Sequence, residues 1–372
     1  MRRSMKVILS ALALTALTLT ACSGETAPST GGDGPTGEKV SLRMATYTGP
    51  SSADNAGYVK WIDRIAELSD GEIEIELFNS GALVNAVDML PAARDGRADI
   101  TAPGIIYYPA ELPFSHAVGV AFRSANLPAI SETFYELARS NELLAGQYEK
   151  LGVQQMFTWV PAPTTIGCNK PAVALGDLSN MSIRSGGLLD VALEPIAGNI
   201  VALPVDELRD ALDRGVVDCY AAVAMDTAAD TGLGEVADFI YDPGYGAFGA
   251  FDVMMNAQVW NSLSDDHKAV FEQASKEITE QLGDIADVKY AEACTTLQKT
   301  SELAVWSDAV QAEWRDASRD AVFDAFVEIG LGAGYSQAEI DGFWEAYDST
   351  LEKHESESDY VPAFERCVAG QL

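Results

Sequence analysis

The chain has 372 residues, 56 of them acidic and 24 basic, with a formal net charge of −32 at pH 7. So negative a surface repels phosphate backbones and excludes nucleic acid as a partner, although overall acidity says more about solubility than about any small ligand. The length predicts two domains or lobes.

The first residues, MRRSMKVILSALALTALTLTACSG, join a basic start, an apolar run and small residues at a cleavage site, the pattern of a secretory signal. The run is short for a membrane span. It ends in Leu19-Thr20-Ala21-Cys22, which resembles the lipobox of bacterial lipoproteins, so Cys22 is the expected site of lipidation. Residues 1–21 therefore read as the signal peptide. Residues 22–39, rich in Ser, Thr, Gly and Pro, read as a flexible tether that holds the folded body about 20–25 Å from its anchor. The expected location is extracytoplasmic, lipid-anchored to the cell membrane.

In chain order, SLRMATYT (41–48) reads as a strand with Tyr47 near its end, and GEIEIELFNSGAL (71–83) alternates as another. AVDMLPAARDGRADITAPG (86–104) then gives helix, Gly-x-x-Asp, strand. VQQMFTW (153–159) is a strand closing on Trp159, and LSNMSIRSGG (178–187) one closing on Arg184. The earlier phrase returns in GNIVALPVDELRDALDRGVVDCYAAV (198–223). There Asp206 is a plausible N-cap, Leu208, Ala211 and Leu212 form an apolar face, and Gly215 ends the helix. Two strand–helix–strand units, with 71–83 and 178–187 as their first strands, predict two similar α/β lobes around a cleft. AFGAFDVMMN (247–256), after Tyr245 and including Phe248, reads as a strand returning between lobes. From Ser264, apolar residues Phe271, Ala274, Ile278, Leu282 and Ile285 step by three and four. Taken as one helix of 35 or so residues, this stretch would run about 52 Å and span both lobes, with Gly283 as a bend; two shorter helices are the alternative. Two more helices are expected near 310–328 and 336–354. The expected lobes are 40–160 with 250–289, and 161–249 with 290–372.

Motifs of nucleophilic, phosphate-binding or zinc-dependent chemistry are absent from the sequence. Of the three histidines, His116 reads as structural, and His267 and His354 as solvated. No metal or cofactor is expected. Arg184, at a strand end before Ser185-Gly186-Gly187, offers a planar fork for a carboxylate beside glycines that let a ligand approach the backbone; the competing reading is a structural salt bridge. Tyr47, Trp159, Tyr245 and Phe248 are candidate pocket walls, and two of them facing the cleft would imply a ligand with an apolar or aromatic body. With Cys22 acylated, Cys168, Cys219, Cys294 and Cys367 remain, and three disulfide pairings are open. Cys367 is placed to tie the C-terminal tail back to Cys294.

The segments DLSNMSIRSGG, GNIVALPVDELRDALDRGVVDCYAA and FDVMMNAQVWNSLSDDHKAVFEQASKEI resemble, in order and spacing, the solute-binding proteins of TRAP transporters, the DctP family. GEIEIELFNSGAL…ARDGRADI resembles that family's first-lobe segment, and the likeness covers about 40–350. The resemblance implies a two-lobed, periplasmic-binding-protein-like fold with hinge-crossing strands and a long C-terminal helix spanning both lobes. It also implies capture of a small organic acid for the membrane subunits of an ion-gradient-driven transporter, without catalysis. The family's carboxylate-gripping arginine falls on Arg184, and Asn169 is retained as a cleft residue. Cys168 then lies in a crossing strand and Cys219 in its neighbour, which favours their pairing. Some members carry a second arginine, an aromatic and an asparagine where this chain has Thr164, Val205 and Ala222. The competing functions are a receptor for an ATP-driven importer or a sensory system, and a secreted hydrolase.

Overall fold

The repeated phrase folds the same way twice. In the first copy a 3₁₀ turn (Ala86–Asp88) leads into a six-residue α-helix (Met89–Arg94); in the second, a turn at Val205–Glu207 leads into Leu208–Asp213. Gly96 and Gly215 close these helices at φ +72° and +68°, the left-handed conformation that glycine adopts without strain. The repeated aspartates have a structural task. Asp99 accepts the backbone N–H of Arg43 at 2.7 Å, and Asp218 accepts that of Ser182 at 3.0 Å. Each thereby fixes the strand after its glycine against the parallel strand beside it.

The computed structural model describes residues 39–372. The expected signal peptide, Cys22 and all but the last residue of the tether lie outside them. The strands are β1 (Val40–Ala45), β2 (Ile73–Phe78), β3 (Ile100–Thr101), β4 (Val153–Trp159), β5 (Thr165–Cys168), β6 (Ser182–Ser185), β7 (Asn199–Ala202), β8 (Cys219–Val223), β9 (Phe239–Asp242), β10 (Phe251–Asn256) and β11 (Glu302–Val305). They form one sheet in the order β2-β1-β3-β10-β4 and another in the order β11-β9-β5-β8-β6-β7. In each sheet three strands run parallel, β2-β1-β3 and β7-β6-β8. An antiparallel strand follows, supplied by the chain as it crosses between lobes: β10 beside β3, and β5 beside β8.

This topology corrects the pairing of the two units. The counterpart of β2 is β7, whose short, half-exposed sequence NIVA gives little alternation, and β6 corresponds to β1. Asp206 is not an N-cap. Pro204 takes the cap position and Asp206 sits within the 3₁₀ turn, making no capping bond.

The expected long helix is also divided. Asp265–Glu280 and Leu282–Leu297 meet at Gln281 (φ −100°, ψ 2°), beside Gly283, where an added Cβ would lie 3.0 Å from Pro128. Leu282–Leu297 alone packs against both Ala53–Leu68 of the first lobe and Met225–Asp230 of the second. The tail, expected with the second lobe, divides as well: Asp308–Gly332 packs on Leu188–Leu193, whereas Gln337–Glu357 returns to the first-lobe helix Leu127–Ser140. There His354 lies between Glu132 and Glu136 at 2.9 and 3.1 Å. His267 is likewise largely enclosed, 3.3 Å from Glu72. Both histidines are therefore paired with acids rather than solvated. His116 is buried, and desolvation lowers its pKa to about 4. Disulfides join Cys168 to Cys219, across the β5–β8 pair, and Cys294 to Cys367.

Candidate functional site: a cavity between the lobes

Arg184 emerges at the carboxyl end of β6 and is 1% exposed. Its Nε donates to the Leu203 carbonyl at 2.9 Å, and Nη1 to the Ala221 and Ala222 carbonyls at 3.2 and 3.3 Å. Nη2 makes no bond to the main chain, and the Tyr107 hydroxyl is a hydrogen-bonding neighbour of the guanidinium. The main chain has taken part of the fork and fixed the plane of the guanidinium in exchange. Among the described residues no carboxylate forms an ion pair with Arg184, so the salt-bridge reading does not hold; the neutral Tyr107 and Tyr47 hydroxyls and the Asp190 carboxyl lie near it. Burial lowers its pKa, with these neighbours acting in the opposite sense. A buried cation with no carboxylate in ion-pairing contact is costly, and a ligand carboxylate would relieve that cost.

The backbone around the arginine is strained in its service. Ala222 has φ +55°, uncommon for a residue with a Cβ. Its carbonyl holds Arg184 while its N–H donates to Thr164 Oγ1 at 3.0 Å. Thr164 thus braces the turn that aims Arg184.

A cavity of about 140 Å³ opens onto Arg184 between the lobes. Tyr47 and Phe248 line it. Trp159 and Asn169 do not. Trp159 is fully buried at the end of β4, where its ring lies so close to Gly57 that an added Cβ would be 2.2 Å from it. Asn169 follows β5 at the end away from the cavity, because β5 runs antiparallel to β8, whose carboxyl end forms the wall. Tyr245 also lies outside the cavity. Its hydroxyl donates to the Gly119 carbonyl at 2.6 Å, and its ring packs on Phe122 and Trp314.

Sequence reasoning missed Ile106 and Tyr107, which come from PGIIYYP (103–109) between β3 and a helix. Their signal was an aromatic pair just after a strand. Gly104 was a second cue: Tyr47 lies against it so closely that an added Cβ would be 2.4 Å from the hydroxyl. Tyr47, Tyr107 and Phe251 form an aromatic wall, with ring centroids 6.2 Å apart for the two tyrosines and 5.7 Å for Tyr47 and Phe251. Burial pushes both tyrosine hydroxyls up in pKa, which keeps them as neutral donors. The Ser185-Gly186-Gly187 turn, expected to receive ligand, is met instead by Ile106 of the other lobe, which would lie 3.2 Å from a Cβ on Gly187.

The lobes also clasp outside the cavity. Asp226 Oδ2 accepts the N–H of Ala53 at 2.9 Å, so a carboxylate of the second lobe caps the first helix of the first. Asp54 lies alongside, accepting from Thr48 at 2.5 Å. Among the described residues no group of three or more His, Cys, Asp or Glu side chains is placed to hold a metal ion, and no helix is long and apolar enough to cross a membrane.

Two lobes of matching topology, crossed by exchanged strands and closed over a buried arginine, define a two-lobed ligand-binding protein. Residues 44–328 match the family model described as bacterial extracellular solute-binding protein, family 7 (DctP), and the chain belongs to that family. It is 27% identical over 295 residues to a monocarboxylate 2-oxoacid-binding periplasmic protein of Nostoc sp. strain PCC 7120, covering 78% of this chain and 79% of the relative. Its fold matches the TRAP solute-binding protein of Rhodoferax ferrireducens T118 solved with copurified benzoate, with TM-score 0.77, 20% identity, and coverage of 86% of this chain and 99% of the other. A marine metagenome TRAP solute-binding protein specific for aromatic acid ligands, solved with 3-hydroxybenzoate, gives TM-score 0.77 at 21% identity, covering 86% and 100%.

Proposed function

We propose that this protein is an extracytoplasmic receptor that captures a small organic carboxylate between its lobes and delivers it to the membrane subunits of a TRAP-type, ion-gradient-driven transporter. The observation that carries the reading is Arg184: a buried guanidinium without an ion pair among the described residues, fixed by three backbone carbonyls and bordering the interlobe cavity. Family membership and the organic acids named for the relatives support it. The lipobox-like Leu19-Thr20-Ala21-Cys22 completes the picture with a lipid on Cys22 that keeps the receptor beside its transporter. The protein works by binding and release rather than by catalysis.

Thermal unfolding with small carboxylates, each beside its amide, tests this. A bound acid at about 100 times its dissociation constant should stabilise the protein by roughly 2.7 kcal/mol. Its amide should have no such effect, and Arg184→Lys should weaken binding by about 2–5 kcal/mol through loss of the fixed planar donor set. An acid and its amide binding equally well would end the carboxylate reading.

A further inference from the structure

We propose that the cavity selects a monocarboxylate whose remaining body is apolar and about the size of one six-membered ring, and that it discriminates against dicarboxylates; this rests on the reading that Arg184 receives the ligand's carboxylate. Size is the first argument. The cavity measures about 140 Å³, close to the ~150 Å³ of an apolar cavity that takes up benzene. Its wall is predominantly apolar. The first lobe contributes the Tyr47–Tyr107–Phe251 aromatic wall and Ile106, and the second contributes Val205 and Ala222.

Charge is the second argument. Among the described residues the charged side chains lining the cavity are Arg184, Asp206 and Asp230. Neither aspartate has an ion-pair partner there. Asp206 sits on the 3₁₀ turn after β7. Asp230 comes from the far side of the seam, where its Oδ2 lies 2.4 Å from the place a Cβ on Gly49 would occupy. One guanidinium can compensate one carboxylate, and a second would lie among uncompensated like charges. Repulsion from these two exposed aspartates, partly screened by solvent, weakens binding of a second carboxylate by roughly tenfold.

Affinities of the full chain for benzoate, benzamide, succinate and succinamate separate these effects, because succinamate is nearly isosteric with succinate and carries one charge fewer. Benzoate should bind at least about tenfold tighter than succinate, and succinamate tighter than succinate. Replacing both exposed acids, Asp206→Asn with Asp230→Asn, should narrow the succinate–succinamate gap by about the same factor. Succinate binding as tightly as benzoate, or a gap unchanged in the double variant, would overturn the selectivity. If no acid binds better than benzamide, or Arg184→Lys binds the acids like the unaltered protein, the failure belongs to the Arg184 reading itself.

Discussion

The two lobes share one plan and divide the work of the site. Their strand orders β2-β1-β3-β10 and β7-β6-β8-β5 correspond element by element. The aspartate clamps, Asp99 on Arg43 and Asp218 on Ser182, set the register between them. By that register Arg184 on β6 stands where β1 has Ala45, fully buried against the small cluster of Val84, Met89, Ala92 and Ala98. The same backbone position thus serves core packing in one lobe and ligand charge in the other. The first lobe answers with aromatic surface just past its strand ends, at Tyr47 and Tyr107. A duplicated scaffold fixes where the cleft lies. Which lobe supplies charge and which supplies apolar contact is decided by a few side chains at strand ends.

The largest test of that division is at Trp159. In the first lobe β4 ends on this buried ring pressed to Gly57, whereas the matching strand β9 ends on Asp242, which accepts the Gly244 N–H at 2.8 Å. Trp159→Ala should cost about 3–5 kcal/mol of stability as a core cavity, read by denaturant unfolding, and change the ligand affinity of the folded protein less than about tenfold. A collapse in affinity at unchanged stability would make Trp159 a wall of the site after all.

Much of this architecture was legible in the sequence, because the signals were local. Gly96 and Gly215 marked helix ends through the conformation they adopt, and the strand closing on Trp159 has the bounds its apolar run suggested. β7 escaped because four half-exposed residues carry no periodicity, and its absence misaligned the repeat. Arg184 was legible as a cation at a strand end, and its burial was not. Ile106, Tyr107 and Asp230 were not, because they reach the cavity only when two lobes close, and no single segment encodes that approach. Asn169 and Tyr245 were misplaced for a related reason: strand direction, which sequence pattern does not carry, decides which end of β5 faces the ligand and where the returning chain packs.

Each lobe carries an acid in the first turn of its matching helix, Asp54 fully buried and Asp190 only half-buried, and pH probes the deeper one. Burial, with a smaller contribution from Asp226, raises the Asp54 pKa to about 6, against the opposing hydrogen bonds from Thr48 and Ser52. A carboxyl raised in the folded state retains a proton that the unfolded chain releases. Stability therefore falls as pH rises from about 4 to about 6, by up to roughly 3 kcal/mol, and this contribution is flat above that window. Asp54→Asn should consequently gain on the unaltered protein by about 2–3 kcal/mol in going from pH 4 to pH 7.5. A difference between the two proteins that does not vary with pH would remove the titration argument.

The subtlest asymmetry is how each lobe greets the other's first helix. The second lobe's helix, Leu188–Leu193, begins at Gly187 against Ile106, an apolar contact. The first lobe's helix, Ala53–Leu68, receives a carboxylate: Ser52 turns its hydroxyl to the Gly49 carbonyl, and Asp226 caps Ala53 from across the seam. A cap of this kind is worth about 0.5–2 kcal/mol, and here it exists only while the lobes are together. Asp226→Ala should therefore weaken ligand affinity by roughly 3- to 30-fold, mainly through faster release, because the open form loses nothing. Asp226→Asn keeps a carbonyl acceptor and should restore most of the affinity. Stopped-flow dissociation rates distinguish a clasp from a packing residue: an unaltered rate in Asp226→Ala, or no recovery in Asp226→Asn, would mean that the carboxylate at this helix start does not hold the lobes closed.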